Sequence, residues 1–227
     1  MAGGVASMSI KDRSHLIDTL TLDLQPVKVI NVGLMTLYFL VGAFVFSLSL
    51  FLLTGPFRSG AGHQLLSSPQ FLVESCVGVL SIALLMYAAF QLAIPSPKPL
   101  LSQLKWPLIG LIVWISFYAF GFVRPALEPS ALGMRDHCNY QVFIFGIPTL
   151  LVALYWLNKQ WPIYPVSTGF LMGLAAGAIP ALIMQFACMY DPHHILTAHI
   201  GPGILVGVLG ACIGAISLTR HKKTAST

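Results

Sequence analysis

The sequence predicts an all-α fold in which six transmembrane helices form a polytopic integral membrane bundle, with both termini in the cytoplasm. Of its 227 residues, 56% are hydrophobic and only 8% are charged, and the mean hydropathy is +0.82. Soluble domains usually carry about 25% charged residues, so this chain is too apolar to be a soluble globule. The apolar stretches and the distribution of lysine and arginine then indicate the number of spans and their orientation.

Six stretches are long and apolar enough for transmembrane helices, which need about 20 mainly apolar residues to cross the hydrocarbon layer. Prolines or polar residues separate one stretch from the next. The first 28 residues contain no apolar core of signal-peptide type, so no cleavable leader is expected. The predicted spans, numbered first to sixth, cover residues 29–53, 70–94, 107–123, 140–158, 166–188 and 197–218.

Lysine and arginine are distributed unequally between the two sides of the predicted membrane. Three arginines, Arg58, Arg124 and Arg135, lie on one side. The two tails and the connections at 95–106 and 159–165 form the other side, which holds nine: Lys11, Arg13, Lys28, Lys98, Lys105, Lys159, Arg220, Lys222 and Lys223. Because cytoplasmic loops are enriched in lysine and arginine, the side with nine is predicted to be cytoplasmic. The net charge of +5 is therefore interpreted as a topology signal, and no direct contact with nucleic acid is expected.

Ionisable side chains are nearly absent from the predicted spans. Glu74 lies near the outer end of the second span, and the deeper polar residues are Gln91 and Gln185. Buried charges usually mark ion paths or proton relays, so a transporter or pump is disfavoured. The two glutamines are interpreted as hydrogen-bonding partners between helices.

Glycines recur every four residues in the last two spans. The fifth span carries Gly169, Gly173 and Gly177, and the sixth contains the pairs Gly203–Gly207 and Gly210–Gly214. Small residues at this spacing let helix backbones approach closely in lipid. The fifth and sixth spans are therefore predicted to pack tightly as a rigid pair.

Two of the four cysteines, Cys138 and Cys188, are predicted to lie together on the outer side. The fourth and fifth spans must be antiparallel neighbours because their connection is short, and each rises about 30 Å from it to its cysteine. Cys76 and Cys212 lie within spans and are interpreted as packing residues. Further candidate ligands crowd the same outer edge: His137, Met189, His193, His194 and His199.

These residue types predict a site for a metal ion or a redox-responsive pair of thiols. Thiolate, thioether and imidazole groups favour Cu(I) or Zn(II), so copper, or zinc, is the predicted ligand. A permanent disulfide between the two outer cysteines is the main alternative, because the outer compartment is oxidising. Surface histidines without a common ligand are the other alternative.

The N-terminal tail contains a candidate amphipathic helix within residues 9–27. Four apolar residues follow helical spacing: Ile17, Leu20, Leu24 and Val27. Pro26 favours an end to the helix just before it. Such a helix can lie on a lipid surface or dock in the groove of a partner. A basic protein partner is predicted because the opposite face carries acidic residues: Asp12, Asp18 and Asp23.

The chain resembles the NrsF-type membrane anti-sigma factors. In the tail the similar residues are Leu16-Ile17-Asp18-x-Leu20 and Asp23-Leu24-x-Pro26-Val27. In the fifth span they are Pro162-x-x-Pro165-x-x-x-Gly169-x-x-x-Gly173-x-x-Ala176-Gly177. Further family positions are Cys138, Cys188, Asp191, Gly210-x-x-x-Gly214 and Arg220. The chain departs from the family at His199-Ile200, where the pattern has Trp-Tyr.

The resemblance implies a bacterial inner-membrane protein, not an enzyme, that holds an extracytoplasmic-function sigma factor inactive. It implies a cytoplasmic sigma-binding segment (residues 1–28), a six-helix transmembrane sensor domain (29–219) and a cytoplasmic tail (220–227). Sigma-factor binding is assigned to the tail residues that carry the resemblance. Release of the sigma factor is assigned to metal binding or oxidation at the outer cysteines, Cys138 and Cys188. The implied partners are the sigma factor and the lipid bilayer, with a homo-oligomer as a further alternative.

Two functions from other classes remain as alternatives. A membrane thiol-disulfide oxidoreductase coupled to quinone needs a second, exchanging cysteine pair, for which Cys76 and Cys212 are poorly placed. A small metal permease would use the outer ligands for entry, but the spans lack buried ligands along a path.

Overall fold

A computed structural model describes residues 10–22, 30–160 and 162–217, and the chain divides into two compact units after Asn31. The first unit contains one described helix, α1 (Ile10–Leu22). The described helices of the second unit are α2 (Val32–Thr54), α3 (Ala61–Ser67), α4 (Pro69–Leu92), α5 (Leu100–Gly121), α6 (Cys138–Asn158), α7 (Pro165–Ala187), α8 (Pro192–His194), a π-helical segment (Ile195–Ile200) and α9 (Gly201–Ser217).

Six helices in the described part of the chain are long and apolar enough to cross a membrane, so the predicted all-α architecture with six spans is confirmed. They are α2, α4, α5, α6, α7 and a last span, Pro192–Ile216, which joins α8, the π-helical segment and most of α9. The cytoplasmic location of the termini stays a prediction.

Two spans begin five or more residues earlier than the sequence predicted. The third begins at Leu100 instead of residue 107, because Pro107 lies inside α5 and does not mark its start. Prolines are tolerated within transmembrane helices because neighbouring groups satisfy the freed backbone positions. Lys105, predicted in a loop, is therefore part of α5. The last span begins at Pro192 instead of residue 197, since proline suits the first turn of a helix.

The predicted tail helix is present as α1, which is described over Ile10–Leu22. Leu16 and Ile17 are 46% and 59% exposed, and Asp18 is exposed as well. Leu20 belongs to α1, but its side chain is outside the description. The other predicted partner-binding residues lie outside the described part of the chain: Asp23, Leu24, Pro26 and Val27.

Helix α7 is the centre of the transmembrane unit. In its most apolar 18-residue window 89% of the residues are buried, against at most 50% in any other span. Its glycines face those of α9, so the two backbones touch without intervening side chains. Gly169 meets Gly210, Gly173 meets Gly207, and Gly177 meets Gly203. The predicted tight packing of the last two spans is confirmed.

The connections at one end of the bundle are tied to one another by hydrogen bonds. The Arg58 amide donates to the Phe186 carbonyl over 3.0 Å, beside the end of α7. The Ser130 amide donates to the Tyr190 carbonyl over 3.1 Å. Cys138 and Cys188 both lie here, so we call this the cysteine end. Because the number of spans is even, α2 begins and α9 finishes at the opposite end.

The close approach of α7 and α9 can be tested with Gly177→Ala. A β-carbon at Gly177 would lie 2.6 Å from the Gly203 carbonyl oxygen, a backbone atom that can move only if the helices separate. Overpacking of this kind typically costs about 1–3 kcal/mol. We expect a lower midpoint of thermal unfolding for the purified protein in detergent.

Gly42→Ala is the matched control, because a β-carbon at Gly42 in α2 would meet nothing within 4 Å. Alanine also has the higher helix propensity, so this variant should unfold at the wild-type temperature or above. Equal destabilisation by both substitutions would contradict the packing described for α7 and α9.

Candidate metal centre

Two antiparallel helices bring Cys138 and Cys188 together, as the sequence predicted. Cys138 is the first residue of α6, and Cys188 follows the last residue of α7. Both side chains are buried free thiols. Their sulfur atoms lie within 4.8 Å of each other although 50 positions separate them in the sequence.

Two histidines at the start of the last span complete the group. The Asp191 side chain accepts a hydrogen bond from the His194 amide over 2.9 Å, and Pro192 occupies the first turn. This cap sets the direction in which the span begins and carries His194 toward the cysteines. His199 lies in the π-helical segment and is completely buried.

The π-helical segment explains how two residues five apart reach one site. In an α-helix, side chains five residues apart point about 140° away from each other. A π-helix bonds each residue to the fifth one along, here the Gly201 amide to the Leu196 carbonyl, and so brings such residues closer to one face. The rings of His194 and His199 are 4.9 Å apart between centroids, at 88°.

The ligand atoms of Cys138, Cys188, His194 and His199 all lie within 4.8 Å of one another; we call these residues the Cys/His cluster. The His194 Nε2 atom is 3.2 Å from the Cys138 sulfur and 3.6 Å from the Cys188 sulfur. Both ring nitrogens of His199 are buried without a hydrogen-bond partner among the described residues.

This donor set suits Zn(II) or Cu(I). Two sulfurs and two imidazoles are a common tetrahedral zinc set, and soft thiolates also favour Cu(I). Bonds of about 2.0–2.3 Å give ligand-to-ligand distances of about 3.3–3.8 Å in a tetrahedron, close to the 3.2 and 3.6 Å between the His194 Nε2 atom and the two sulfurs. A buried imidazole without a partner is costly, and coordination would give His199 a partner.

Three other predicted ligands lie outside the cluster. His137 and His193 are exposed, and their rings lie near those of Tyr140 and Phe122. Met189 is half-buried and packs against the hydrophobic core.

The surroundings of Cys188 favour the thiolate form. As a hydrogen-bond donor, the Cys138 thiol lowers the pKa of Cys188 below the ordinary value for cysteine, although burial acts in the opposite direction. The thiolate is the form that binds metals and reacts with oxidants. The two cysteines therefore combine a thiolate at Cys188, which can bind a metal ion, with a neighbouring thiol at Cys138.

A network of buried polar side chains lies beside the cluster, and the sequence did not predict it. Tyr190, two residues after Cys188, donates a hydrogen bond to Glu74 in α4 over 3.1 Å. Burial, and then the charge of Glu74, raise the pKa of Tyr190 above its ordinary value, so its hydroxyl keeps the proton that it donates. Gln185 in α7 donates a hydrogen bond to the Tyr118 hydroxyl in α5. This confirms the predicted role of Gln185 as a hydrogen-bonding partner between helices.

Arg135 was predicted only as one of the few outer charges, yet it holds several segments together. Its Nε donates to the Ala187 carbonyl over 3.0 Å, next to Cys188. Its Nη2 donates to the carbonyls of Gly55 and Pro56 over 3.0 and 2.8 Å. The end of α7 is thereby joined to the end of α2. No sequence signal marked this role, because the contacts cross about 50 and 80 positions of the chain.

Comparison with known proteins identifies a family. The sequence profile of NrsF, described as negative regulator of sigma F, matches residues 20–219. No curated protein and no solved structure matches the chain. The match covers most of the 227 residues, including all four members of the Cys/His cluster. The chain belongs to the NrsF family, which indicates that it is a membrane-embedded negative regulator of a sigma factor.

Proposed function

We propose that this protein is a membrane-bound anti-sigma factor with a metal- or redox-responsive switch. Its N-terminal segment, residues 1–28, sequesters an extracytoplasmic-function sigma factor. The sigma factor is released when the Cys/His cluster binds a metal ion, copper first and zinc second, or is oxidised. The observation that carries this proposal is the convergence of four ligand atoms within 4.8 Å, three of them on buried residues and one on the half-buried His194, in a member of a sigma-regulating family.

The proposed location is the bacterial inner membrane, with the cysteine end facing the periplasm. This orientation follows from the nine basic residues on the opposite side against three on this side, because cytoplasmic segments are enriched in lysine and arginine. The tail after residue 219 would then be cytoplasmic as well. A periplasmic cluster would meet metals and oxidants before they enter the cytoplasm.

Exposed apolar residues on α1 support its proposed role as the sigma-binding element. Leu16 and Ile17 are adjacent and largely exposed, and Asp18 follows them. A helix that presents apolar side chains commonly docks into a hydrophobic groove on a partner. The acidic residue would complement basic residues beside such a groove. The family resemblance extends this surface to Leu20, Asp23, Leu24, Pro26 and Val27.

The cluster offers two chemical responses. A bound metal ion would be held by the two sulfurs and the two imidazoles, and its charge would offset that of the thiolates. Oxidation would instead join the Cys188 thiolate and the Cys138 thiol in a disulfide, with two electrons passing to the oxidant and the one thiol proton of Cys138 released. Both responses change the contacts among α6, the end of α7 and the start of the last span.

Arg135 offers a route from the cluster to the sigma-binding segment. It bonds to the Ala187 carbonyl beside Cys188 and to the Gly55 and Pro56 carbonyls after α2. A displacement of the end of α7 would therefore also displace the end of α2, because Arg135 is bonded to both. Helix α2 is also the span that directly follows the N-terminal segment in the chain.

The energies involved are sufficient for a switch. Moving an equilibrium from 1:99 to 99:1 requires about 5.5 kcal/mol of differential binding. Structural zinc sites with thiolate ligands have apparent binding free energies of about 10 kcal/mol or more. A metal ion that binds the released state more tightly than the sequestering state by about 5.5 kcal/mol, which is only part of that binding free energy, would reverse the populations.

Removal of the N-terminal segment tests sequestration. We expect the full chain, but not a variant without residues 1–28, to retain the sigma factor in a pull-down from detergent-solubilised membranes.

A point substitution tests the same segment: Ile17→Asp should weaken binding by more than about tenfold, because it places a charge in a predicted apolar contact. Removal of residues 2–9, which precede α1, is the control and should bind normally. Undiminished binding without residues 1–28 would refute sequestration by this segment.

Substitution of the clustered cysteines tests the sensor. Cys138→Ser and Cys188→Ser should each abolish metal induction of a sigma-dependent reporter, and purified variants should lose the single metal ion expected for one tetrahedral site. Cys76→Ser and Cys212→Ser are matched controls, because these two cysteines are exposed free thiols outside the cluster. Normal induction in both cluster variants would show that the outer thiols are not the sensor.

Histidine substitutions test which imidazoles bind the metal ion. His199→Ala removes a buried ring whose nitrogens have no other partner among the described residues, and we expect at least about tenfold weaker metal affinity by competition with a chelator. His193→Ala removes an exposed ring six positions away and should leave the affinity unchanged. If metal binding required His193 and did not require His199, the proposed set of four ligands would be wrong.

A further inference from the structure

Arg58 places a buried positive charge beside the Cys/His cluster. It lies in the connection that follows α2, and its amide donates a hydrogen bond to the Phe186 carbonyl over 3.0 Å. Phe186 precedes Cys188 by only two positions, so the backbone of Arg58 lies against the residues that lead into this ligand. The side chain is only 5% exposed. Solvent and salt therefore screen its charge only weakly.

The guanidinium group acts through its charge, because most of it is enclosed by protein. Two of its three nitrogens, Nε and Nη2, are buried without a hydrogen-bond partner among the described residues. The loop before α6 covers the stem at Gly133, which has a φ of +82° and where a β-carbon would lie 3.0 Å from the Arg58 Cγ atom. Glycine permits this close crossing. The charge is therefore held at one place and is not offered to a ligand by direct contact.

The thiolate of Cys188 is a negative charge that acts on Arg58. Burial lowers the pKa of Arg58, while Cys188 and then Tyr190 act in the opposite direction. Tyr190 donates its proton in the hydrogen bond to Glu74 and is therefore neutral. Of these two neighbours, Cys188 alone carries a charge, so the cation of Arg58 and a ligand of the cluster interact electrostatically.

The charge of a bound metal ion decides how strongly Arg58 opposes its binding. Zn(II) carries twice the charge of Cu(I), so a fixed cation repels Zn(II) twice as strongly at the same position. With two thiolates, Zn(II) forms a neutral centre, whereas Cu(I) leaves one negative charge that Arg58 offsets. Both ions use the same two thiolates, so the cost of deprotonating these ligands cancels when the two affinities are compared.

Other charged groups surround the cluster, but they do not change the direction of this effect. Arg135, which bonds to the Ala187 carbonyl, acts in the same direction as Arg58 and is half-buried. Asp191, which caps the last span, and Glu74 act in the opposite direction. All three remain when Arg58 alone is replaced, so a comparison of variants isolates the charge of Arg58.

We propose that Arg58 is a specificity-determining residue of the Cys/His cluster, and that its buried positive charge favours Cu(I) over Zn(II). This role rests on the proposed metal response. The softness of the thiolates already suits Cu(I), and Arg58 adds a preference that depends on the charge of the ion alone. The hydrogen bond to Phe186 and the crossing of Gly133 keep this charge beside Cys188.

The ratio of two affinities measures this preference. Cu(I), under anaerobic conditions, and Zn(II) are each titrated against a competing chelator with the full-length protein in nonionic detergent. Arg58→Gln should lower the ratio of Cu(I) affinity to Zn(II) affinity by about tenfold. Two unit charges about 10 Å apart, at an effective dielectric constant of about 20, interact strongly enough for a change of this size.

Matched variants separate charge from structure. Arg58→Lys keeps the positive charge, so it should keep the wild-type ratio even if both affinities change. Arg124→Gln removes an exposed charge at the same end of the bundle and should leave the ratio unchanged. Ser59→Asp adds a negative charge at an exposed position next to Arg58 and should lower the ratio about twofold, whereas Ser59→Asn should not.

A wild-type ratio in Arg58→Gln would overturn the proposal. Equal losses of the ratio in Arg58→Lys and Arg58→Gln would overturn it too, because the charge would then not be the cause. If Arg58→Gln fails to fold, Ser59→Asp decides, and an unchanged ratio in that variant counts against Arg58. A wild-type protein that binds neither ion would instead refute the proposed metal response, and the role of Arg58 with it.

Discussion

The direct contact between the backbones of α7 and α9 is the constraint on which the rest of the structure depends. Glycines on both helices remove the side chains that would hold the two apart, and α7 is buried along most of its length as a result. Because the last span is held against α7 in this way, its first residues are placed beside the end of α7. The histidines of the last span therefore reach Cys188, and α6 packs against the same pair with Cys138.

The cysteine end collects polar groups that a membrane protein of this composition otherwise avoids. His199 and Arg58 are buried without hydrogen-bond partners among the described residues, while Glu74 shares a hydrogen bond with Tyr190. Buried polar groups in folded proteins are nearly always paired, so unpaired ones indicate ligands. A metal ion at His199 would supply the partner that the protein itself does not.

The Cys/His cluster and the hydrogen bonds of two arginines meet along one short stretch of chain. Phe186 and Ala187 accept hydrogen bonds from Arg58 and Arg135, and Cys188 follows immediately. A change at the Cys/His cluster would thus act directly on the stretch that both arginines hold. Since Arg135 also bonds to the end of α2, this stretch joins the proposed sensor to the span that follows the proposed sigma-binding segment.

The number of spans, the glycine contacts of α7 and α9, and the meeting of Cys138 with Cys188 could all be predicted from the sequence. These features depend on local hydropathy, on four-residue spacing and on one short connection, and all of these are visible along the chain. The tertiary structure alone decided which of five candidate residues join the two cysteines, because a π-helical segment turns His199 inward beside His194. It alone revealed the roles of Arg58, Arg135 and Tyr190, because their contacts are made by loops whose conformations no periodic pattern records.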